Sequence, residues 1–422
     1  MALPELIAEI GFAGPDNSPY LVLDDDVRGL LDTAQLAGDT VWTDVTGDVL
    51  AWDTRRGVTR MSGPVLRPEA GTASLLLGTV GRDYDPTNLA GPYVAAGVTL
   101  VKPMRPARLR AVWDGTAYPV WSGYVDRWIT TYEDPGWVEV RVPATDAFRS
   151  LQAYDRAAVA AVGAGDLTGA RVGRILDSAA WPAELRDIAT GQTTVQATTL
   201  DGPALSELLD IAETEIGELY IAGDGDVVFR DRNGILTDTR SAESQGIFGD
   251  SGAELPYESA DMEYDDQQIY NLVRITRTGG TEQTASDATS QADYLVRVYS
   301  KSGLWMETDS VAADYAAWIV HLSKDAELRF SQIVIAPQTD PDNLWPQVLG
   351  RQLGDRITVR RRPPGGGDTI EQDVYIRGIA HDVDYRAAKW TTTWQLQSAL
   401  RNSFLVLDDP INGVLNANAL TY

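Results

Sequence analysis

Trp137-Val138-Glu139-Val140-Arg141-Val142 puts Val138, Val140 and Val142 on one face of an extended chain and Glu139 and Arg141 on the other, the period-two pattern of a strand with one buried face. A slip of one residue would expose the valines and bury both charges, so the register is specified. Working outward, short apolar runs between Pro4 and Ser150 are repeatedly broken by Gly, Pro and Asp, at Tyr20 to Leu23, Ser74 to Leu77 and Ala107 to Val112. That rhythm predicts a sandwich or barrel domain over residues 1–156.

Composition agrees. The chain has 422 residues, enough for about three domains, and 44 % of them are apolar. Trp (12) and Tyr (17) outnumber Phe (6), with 38 Gly and 21 Pro, a balance suited to turn-rich β-structure. Cysteine is absent and only His321 and His381 occur, which removes disulfides, thiolate nucleophiles and Cys-type zinc sites and leaves little for His-based metal or triad chemistry. With 35 basic against 61 acidic residues the net charge is −26, so the long-range field repels nucleic acid and anionic lipid. No apolar run approaches a membrane span and the first residues lack a signal-peptide pattern, so a soluble, unprocessed chain with no membrane insertion is expected.

Past residue 156 the pattern changes. Ala157 to Gly169 is a small-residue stretch without periodicity and is expected to be a linker. Helical spacing then begins, with Thr168 placed to cap a helix bearing Val172, Ile175, Leu176 and Ala179. A second helix opens at Asp201-Gly202-Pro203, carries Leu205, Leu208, Leu209, Ala212 and Ile216, and is closed by Gly217. Leu219 to Ile221 and Val227 to Phe229 flank Gly223-Asp224-Gly225-Asp226, a hairpin signal. These elements predict a small α+β domain over 165–250. Strand-like runs resume at Asn271 to Thr276, Leu295 to Tyr299, Arg356 to Arg360, Val374 to Ile379 and Trp390 to Leu396, predicting a second β domain over 260–400. A helical insertion at about 303–336 is capped by Asp309 and carries Val311, Tyr315, Trp318, Ile319 and Leu322. The loop Arg360-Arg361-Arg362-Pro363-Pro364-Gly365-Gly366-Gly367 gives an acidic chain an exposed basic tip.

No constellation converges on chemistry. Gly249-Asp250-Ser251-Gly252 resembles the serine-protease nucleophile turn, yet both histidines follow it in the chain, the reverse of that order, so it reads as a loop. Gly163 to Gly169 misses the dinucleotide fingerprint by one residue and no strand leads into it, and no Walker-type Gly-Lys-Ser/Thr occurs. The acidic groups Asp24 to Asp26, Asp83 to Asp85, Asp224/Asp226 and Asp261 to Asp266 lack EF-hand spacing and read as solvated turns. With 61 acids, no carboxylate pair of a glycosidase can be singled out. His321 reads as a packing residue and His381 as a strand-end residue. No catalytic residue, cofactor or metal is expected.

Several stretches, in order, resemble minor tail proteins of long-tailed bacteriophages of actinobacteria, in particular the baseplate hub, or tail-associated protein. They are Trp42 to Val49, Thr54-Arg55-Arg56-Gly57, Gly71-Thr72-Ala73, Asp83-Tyr84-Asp85-Pro86-Thr87-Asn88 with Gly91-Pro92-Tyr93, Arg105 to Arg110 and Trp121 to Trp128. Near the other end, Leu353 to Val359, Gly378-Ile379-Ala380-His381 and Trp390-Thr391-Thr392 look like the second barrel of such hubs. The chain departs from the family at Leu77 to Arg82, where an Asn-Arg pair usually precedes the Asp-Pro-Asn turn.

The resemblance implies a mainly β fold with two tail-tube-like β-barrel or sandwich domains around α+β material. It implies a homotrimer ringing a channel, since two barrels in each of three copies match a six-fold tube. The function implied is a structural, non-enzymatic hub in the virion tail tip, made in the host cytoplasm. Its partners would be the distal tail protein, the tape-measure protein and receptor-binding proteins, with DNA only in transit as the ring opens for ejection. Three chains would carry about −78, a wall to which DNA does not adhere. Pro86 and Pro106 would fix turns, and Asp83 or Asn88 would bond nearby backbone. Candidate partner-binding residues are Arg361 and Arg362 on the basic loop, and Phe404, Leu407 and Tyr422 on a C-terminal arm over 401–422. The rivals are a hexameric distal tail protein and a tail-tip cell-wall hydrolase.

Overall fold

The computed structural model describes residues 3–12, 42–60, 63–95, 97–134 and 137–399. The run Tyr20 to Leu23, the acids Asp24 to Asp26, and Phe404, Leu407 and Tyr422 with the rest of the expected arm lie outside them. The chain is mainly β with an α+β unit in its middle.

The first half consists of β1 (Glu5–Ile10), β2 (Val49–Gly57), β3 (Thr72–Thr79), β4 (Pro106–Trp113), β5 (Thr116–Val125) and β6 (Trp137–Thr145). They pair antiparallel in the order β2-β3-β6-β5-β4-β1. On β6, Val138, Val140 and Val142 are buried, Glu139 is half-buried and Arg141 exposed, as the alternation predicts. Those valines join Leu6, Ile10, Leu75, Leu77, Leu109 and Trp121 in one core.

The middle unit contains α1 (Ala147–Ala153), β7 (Asp155–Val162), α2 (Thr168–Ser178), β8 (Thr198–Pro203), α3 (Ala204–Glu215), β9 (Glu218–Ile221) and β10 (Val227–Arg230). Its core joins Val172, Ile175 and Leu176 of α2 to Leu208 and Ile211 of α3 and to Leu219 and Phe229. Three local expectations are corrected. The supposed linker contains a strand, β7, because β8 supplies an antiparallel partner about forty residues on. Thr168 begins α2 from within the helix, and its hydroxyl instead donates to the buried Glu215 carboxylate at 2.7 Å. Helix α3 ends at Ile216, which itself takes the left-handed conformation (φ 56°). Gly217 is needed for a different reason, since a Cβ there would lie 2.5 Å from the Arg230 carbonyl.

Then β11 (Leu272–Arg277), β12 (Gln283–Ser286) and β13 (Val298–Leu304) form a separate three-stranded sheet, with β11 and β13 parallel. Helix α4 (Asp309–Ser323) covers it through Tyr315 and Ile319 against Val273, Ile275 and Leu304. The runs expected in the second β domain near residues 272 and 298 therefore belong to this unit, because α4 buries their apolar face. Thr308 caps α4. Asp309, the expected cap, sits in the first turn and accepts from Arg277 at 2.6 Å.

The second half comprises β14 (Arg329–Ile335), α5 (Pro341–Gly350), β15 (Arg356–Arg361), β16 (Ile370–Asp384) and β17 (Lys389–Ser398). The antiparallel order is β15-β16-β17-β14, over a core of Ile333, Ile357, Val359, Val374, Ile376 and Trp394. The two halves are one sheet of fifteen strands, because the fifteen-residue β16 serves both. Its first part pairs with β15, and its last part pairs with β2 of the first half. Helix α5 lies between the cores, with Leu344 and Val348 in the second and Trp345 and Leu349 in the first. No helix among the described residues is long and apolar enough to cross a membrane.

Candidate functional site at the seam of the two halves

The β2–β16 seam brings together two motifs that lie far apart in sequence. Gly57 pairs with Gly378, Arg56 with Ile379, Arg55 with Ala380 and Thr54 with His381. Both glycines are dictated by close approach. A Cβ on Gly57 (φ +82°) would sit 2.2 Å from the Arg377 carbonyl, and one on Gly378 would sit 2.2 Å from the Val58 carbonyl. The backbone is tied there by the Val58 N–H donating to the Arg377 carbonyl at 3.0 Å.

On the core side of the seam, Trp390 meets Trp52 edge-on at 4.9 Å and Trp345 at 5.0 Å, so one residue from each strand neighbour and one from α5 interlock. Truncating a fully buried tryptophan of this kind typically costs about 3–5 kcal/mol. His381 lies in this cluster rather than at a strand end. The indole N–H of Trp390 donates to His381 Nδ1 at 3.3 Å, and the Thr392 hydroxyl lies 2.9 Å from the same nitrogen. Nδ1 therefore acts as an acceptor. Burial, with the nearby Arg56 charge, pushes the His381 pKa down to about 3. An unfolded chain would bind a proton near pH 6.5 that the fold refuses, so this site loses stability as pH falls from about 6.5 towards 3. The expected result is that the stability advantage of wild type over His381→Gln shrinks on acidification, by about 3 kcal/mol at most between pH 6.5 and 4. Urea melts of both proteins at several pH values measure it; a gap that does not change with pH would show that His381 protonates freely in the fold.

The opposite face of the same strands is a polar groove of about 520 Å³, lined by Asp53, Arg55, Thr72, Asp382, Thr391 and Thr393, among others. Asp53 faces Asp382 directly across the seam. Burial and then the Asp382 charge raise the Asp53 pKa, against Arg141 and Arg55, which lower it. A second depression, about 360 Å³, continues past Thr59 and Gln395 to Asp261 and Arg329. The result is a long face of hydroxyls and amides with charges of both signs, without an apolar patch for a small ligand. No group of three or more His, Cys, Asp or Glu that could hold a metal ion occurs among the described residues.

The middle unit is clamped to both halves. Arg377 of β16 forms a buried ion pair with Glu218 of β9, and Tyr220 and Val228 of the hairpin enter the second core. The Gly223-Asp224-Gly225-Asp226 turn abuts the first half, where a Cβ on Gly223 would meet the Pro119 carbonyl at 2.5 Å. The sequence had marked this turn only as a solvated hairpin tip. Asp146 caps α1 through the Phe148 N–H and also accepts from Gly71 N–H at 2.6 Å. Burial pushes its pKa up to about 7, against those two hydrogen bonds and the Arg56 charge.

Arg361 is the last residue of β15 and Arg362 the first of the basic loop; both are half-exposed, but each is engaged within the chain. Arg361 pairs with Asp250 at 3.3 Å, and Arg362 with Asp250 and Glu254, both at 2.8 Å. The Gly249-Asp250-Ser251-Gly252 segment is thus the acceptor of these arginines, and Ser251 is bonded inside its own turn to Glu254. In the other quoted loop, the Asn88 amide donates to the Arg82 carbonyl as expected. The residue that organises it is Asp85, which the sequence reads only as part of a solvated acidic turn and which accepts from Arg82, Thr87 and Tyr132. Those hydrogen bonds outweigh the effect of burial and hold its carboxyl below the usual range.

No protein-family model matches the chain, and no curated protein matches it in sequence. Among solved structures it is similar to the 43 kDa tail protein of prophage MuSo2 from Shewanella oneidensis, at TM-score 0.55 and 13 % identity over 94 % of this chain and 98 % of that one. It is equally similar in shape to the tail protein from Neisseria meningitidis MC58, at TM-score 0.55 and 12 % identity with the same coverage. The chain has the fold of these tail proteins along nearly its whole length.

Proposed function

We propose that this chain is a structural component of a bacteriophage tail, and within the tail the hub at the tip, with no catalytic role. The observation that carries the reading is the nearly full-length likeness to a prophage tail protein and to a second tail protein, which leaves no large part of either fold unaccounted for. The continuous sheet supports the finer reading. Because β16 belongs to both halves, the halves are held as one rigid body, and three copies would present six half-sheets around an axis. The polar seam face is the surface suited to line the channel. Its hydroxyls, amides and balanced charges, in a ring carrying about −78, offer DNA no basic track. Distal tail, tape-measure and receptor-binding proteins would join the ring at its two ends, and it would open for DNA ejection.

The mass of the full chain in solution tests the hub. Light scattering after size exclusion is expected to give a trimer, about 138 kDa from three chains of 45.9 kDa. A hexamer would replace the hub with the distal-ring reading, and a chain that stays monomeric at virion-like concentrations, and is not present in three copies per virion, would overturn the ring.

A further inference from the structure

The sheet of β11, β12 and β13 has α4 on one face, where Val273 and Ile275 are buried. The strand registers put Leu272, Arg274, Thr284, Ser286, Val298 and Ser300 on the other face, and all of them except the half-buried Leu272 are exposed. The loop that enters β13 adds two more apolar side chains, Leu295 at 74 % exposure and Val296 at 56 %.

That exposure is built into the loop. Leu295 has φ 62° and ψ 177°, a backbone region that essentially only glycine occupies without strain. The side chain of Asn271, itself fully buried, holds the loop there. Its amide donates to the Leu295 carbonyl at 2.8 Å, and its oxygen accepts from the Arg297 N–H at 2.8 Å. The two bonds bracket Val296 and fix the pair as a knob. A leucine kept in a strained conformation and left in water gains nothing inside its own chain, so its gain comes from a surface that covers it.

Charge selects the partner. Residues 294–306 contain no acid in a chain that has 61, and their two cations are engaged within the chain, Arg297 by Asp266 and Lys301 by Glu213. The outward residues of β11 and β12 add one charge, the cation of Arg274. A second copy, at −26, is repelled by a chain of equal charge but meets no acid among these residues, and its carboxylates complement Arg274. We propose that this open face, with the Leu295–Val296 knob, is where a second copy of the chain docks through an acidic part of its surface. Pairing the face with itself would oppose two Arg274 guanidiniums, so the contact is head-to-tail, the kind that closes into a ring. It deepens the three-fold reading of the proposed function and rests on it.

Light scattering of the full chain over a dilution series reads the contact. Leu295→Gly is expected to raise the thermal midpoint by about 1–3 °C, because the strain is relieved. It should nevertheless weaken association at least about tenfold, because the knob is gone. Ser300→Asp puts an acid on the face at an exposed position without touching the knob. It should weaken association by a similar factor at an unchanged midpoint. Association as tight as wild type in both variants would overturn the docking face and leave the trimer standing. A wild-type chain that is monomeric throughout the series would also overturn the face as a contact between copies, and the number of copies per virion would then decide the ring separately.

Discussion

Gly378→Val is expected to unfold the seam, lowering stability by about 3–5 kcal/mol and abolishing any assembly of the chain. The new Cβ would sit 2.2 Å from the Val58 carbonyl and 3.1 Å from the Gln395 Cβ, and neither neighbour is the loose end of a side chain. Relief requires β16 to move away from β2. That movement breaks the Val58-to-Arg377 hydrogen bond and shears the Trp52, Trp390 and Trp345 contacts beneath. Overpacking alone typically costs about 1–3 kcal/mol, and lost contacts in the aromatic cluster add to it. Gly57→Val should cost more, since its left-handed φ of +82° adds about 1–2 kcal/mol of backbone strain. The double variant should fall well short of the sum, because both side chains attack the same crossing. Gly173→Ala is the matching control. It lies in α2 with nothing within 4 Å of the added carbon, and should stabilise the protein by up to about 1 kcal/mol. Urea melts followed by circular dichroism compare the four. A Gly378→Val protein with the wild-type midpoint would mean that the halves are joined by something other than this crossing.

The seam also marks what could be read from sequence. The alternation at Val138 to Val142 is a local signal, and it gave β6 with its buried face. The strand that holds Ile379 was legible as the apolar run Val374 to Ile379, whereas Thr54 to Gly57 stood out only through its resemblance to tail proteins. That these two strands are neighbours, more than three hundred residues apart, has no local signature, since pairing between distant strands leaves only glycines at the tight points. Capping failed similarly at Thr168 and Asp309, where a distant carboxylate or guanidinium outcompeted the helix terminus for the side chain. The basic loop was legible as a loop, whereas its engagement by Asp250 and Glu254 depends on a strand alignment that only the folded sheet supplies. His381 was misplaced because a histidine's role depends on what surrounds it, here two indoles and a threonine from two neighbouring strands, β2 and β17.

Removing Arg377 should be nearly as damaging as crowding Gly378, by a different mechanism. The Arg377 guanidinium donates to Glu218 and to Gln397, the latter at 2.7 Å, and lies 4.7 Å from the centre of the Tyr375 ring. Both partners of the ion pair are almost completely buried. Arg377→Met leaves the Glu218 carboxylate in the interior without its closest cation, which typically costs about 3–5 kcal/mol. Arg230 lies near enough to contribute charge but makes no ion pair with Glu218 within 4.0 Å, so it offsets only part of that loss. Glu218→Leu alone strands the arginine and should cost a similar amount. The informative protein is the double variant Arg377→Met/Glu218→Leu, which removes both charges and fills the space with apolar atoms. It is expected to regain most of the stability lost by either single change, since a buried pair often contributes little net stability over well-packed hydrophobes. A cycle measured by denaturant unfolding should therefore give a coupling of at least about 2 kcal/mol. Additive losses would mean that the two side chains act through separate neighbours and that the middle unit is free to hinge against β16. A large coupling means that the pair sets the angle of that unit against the sheet, and with it where the α+β unit would lie in any ring built from these chains.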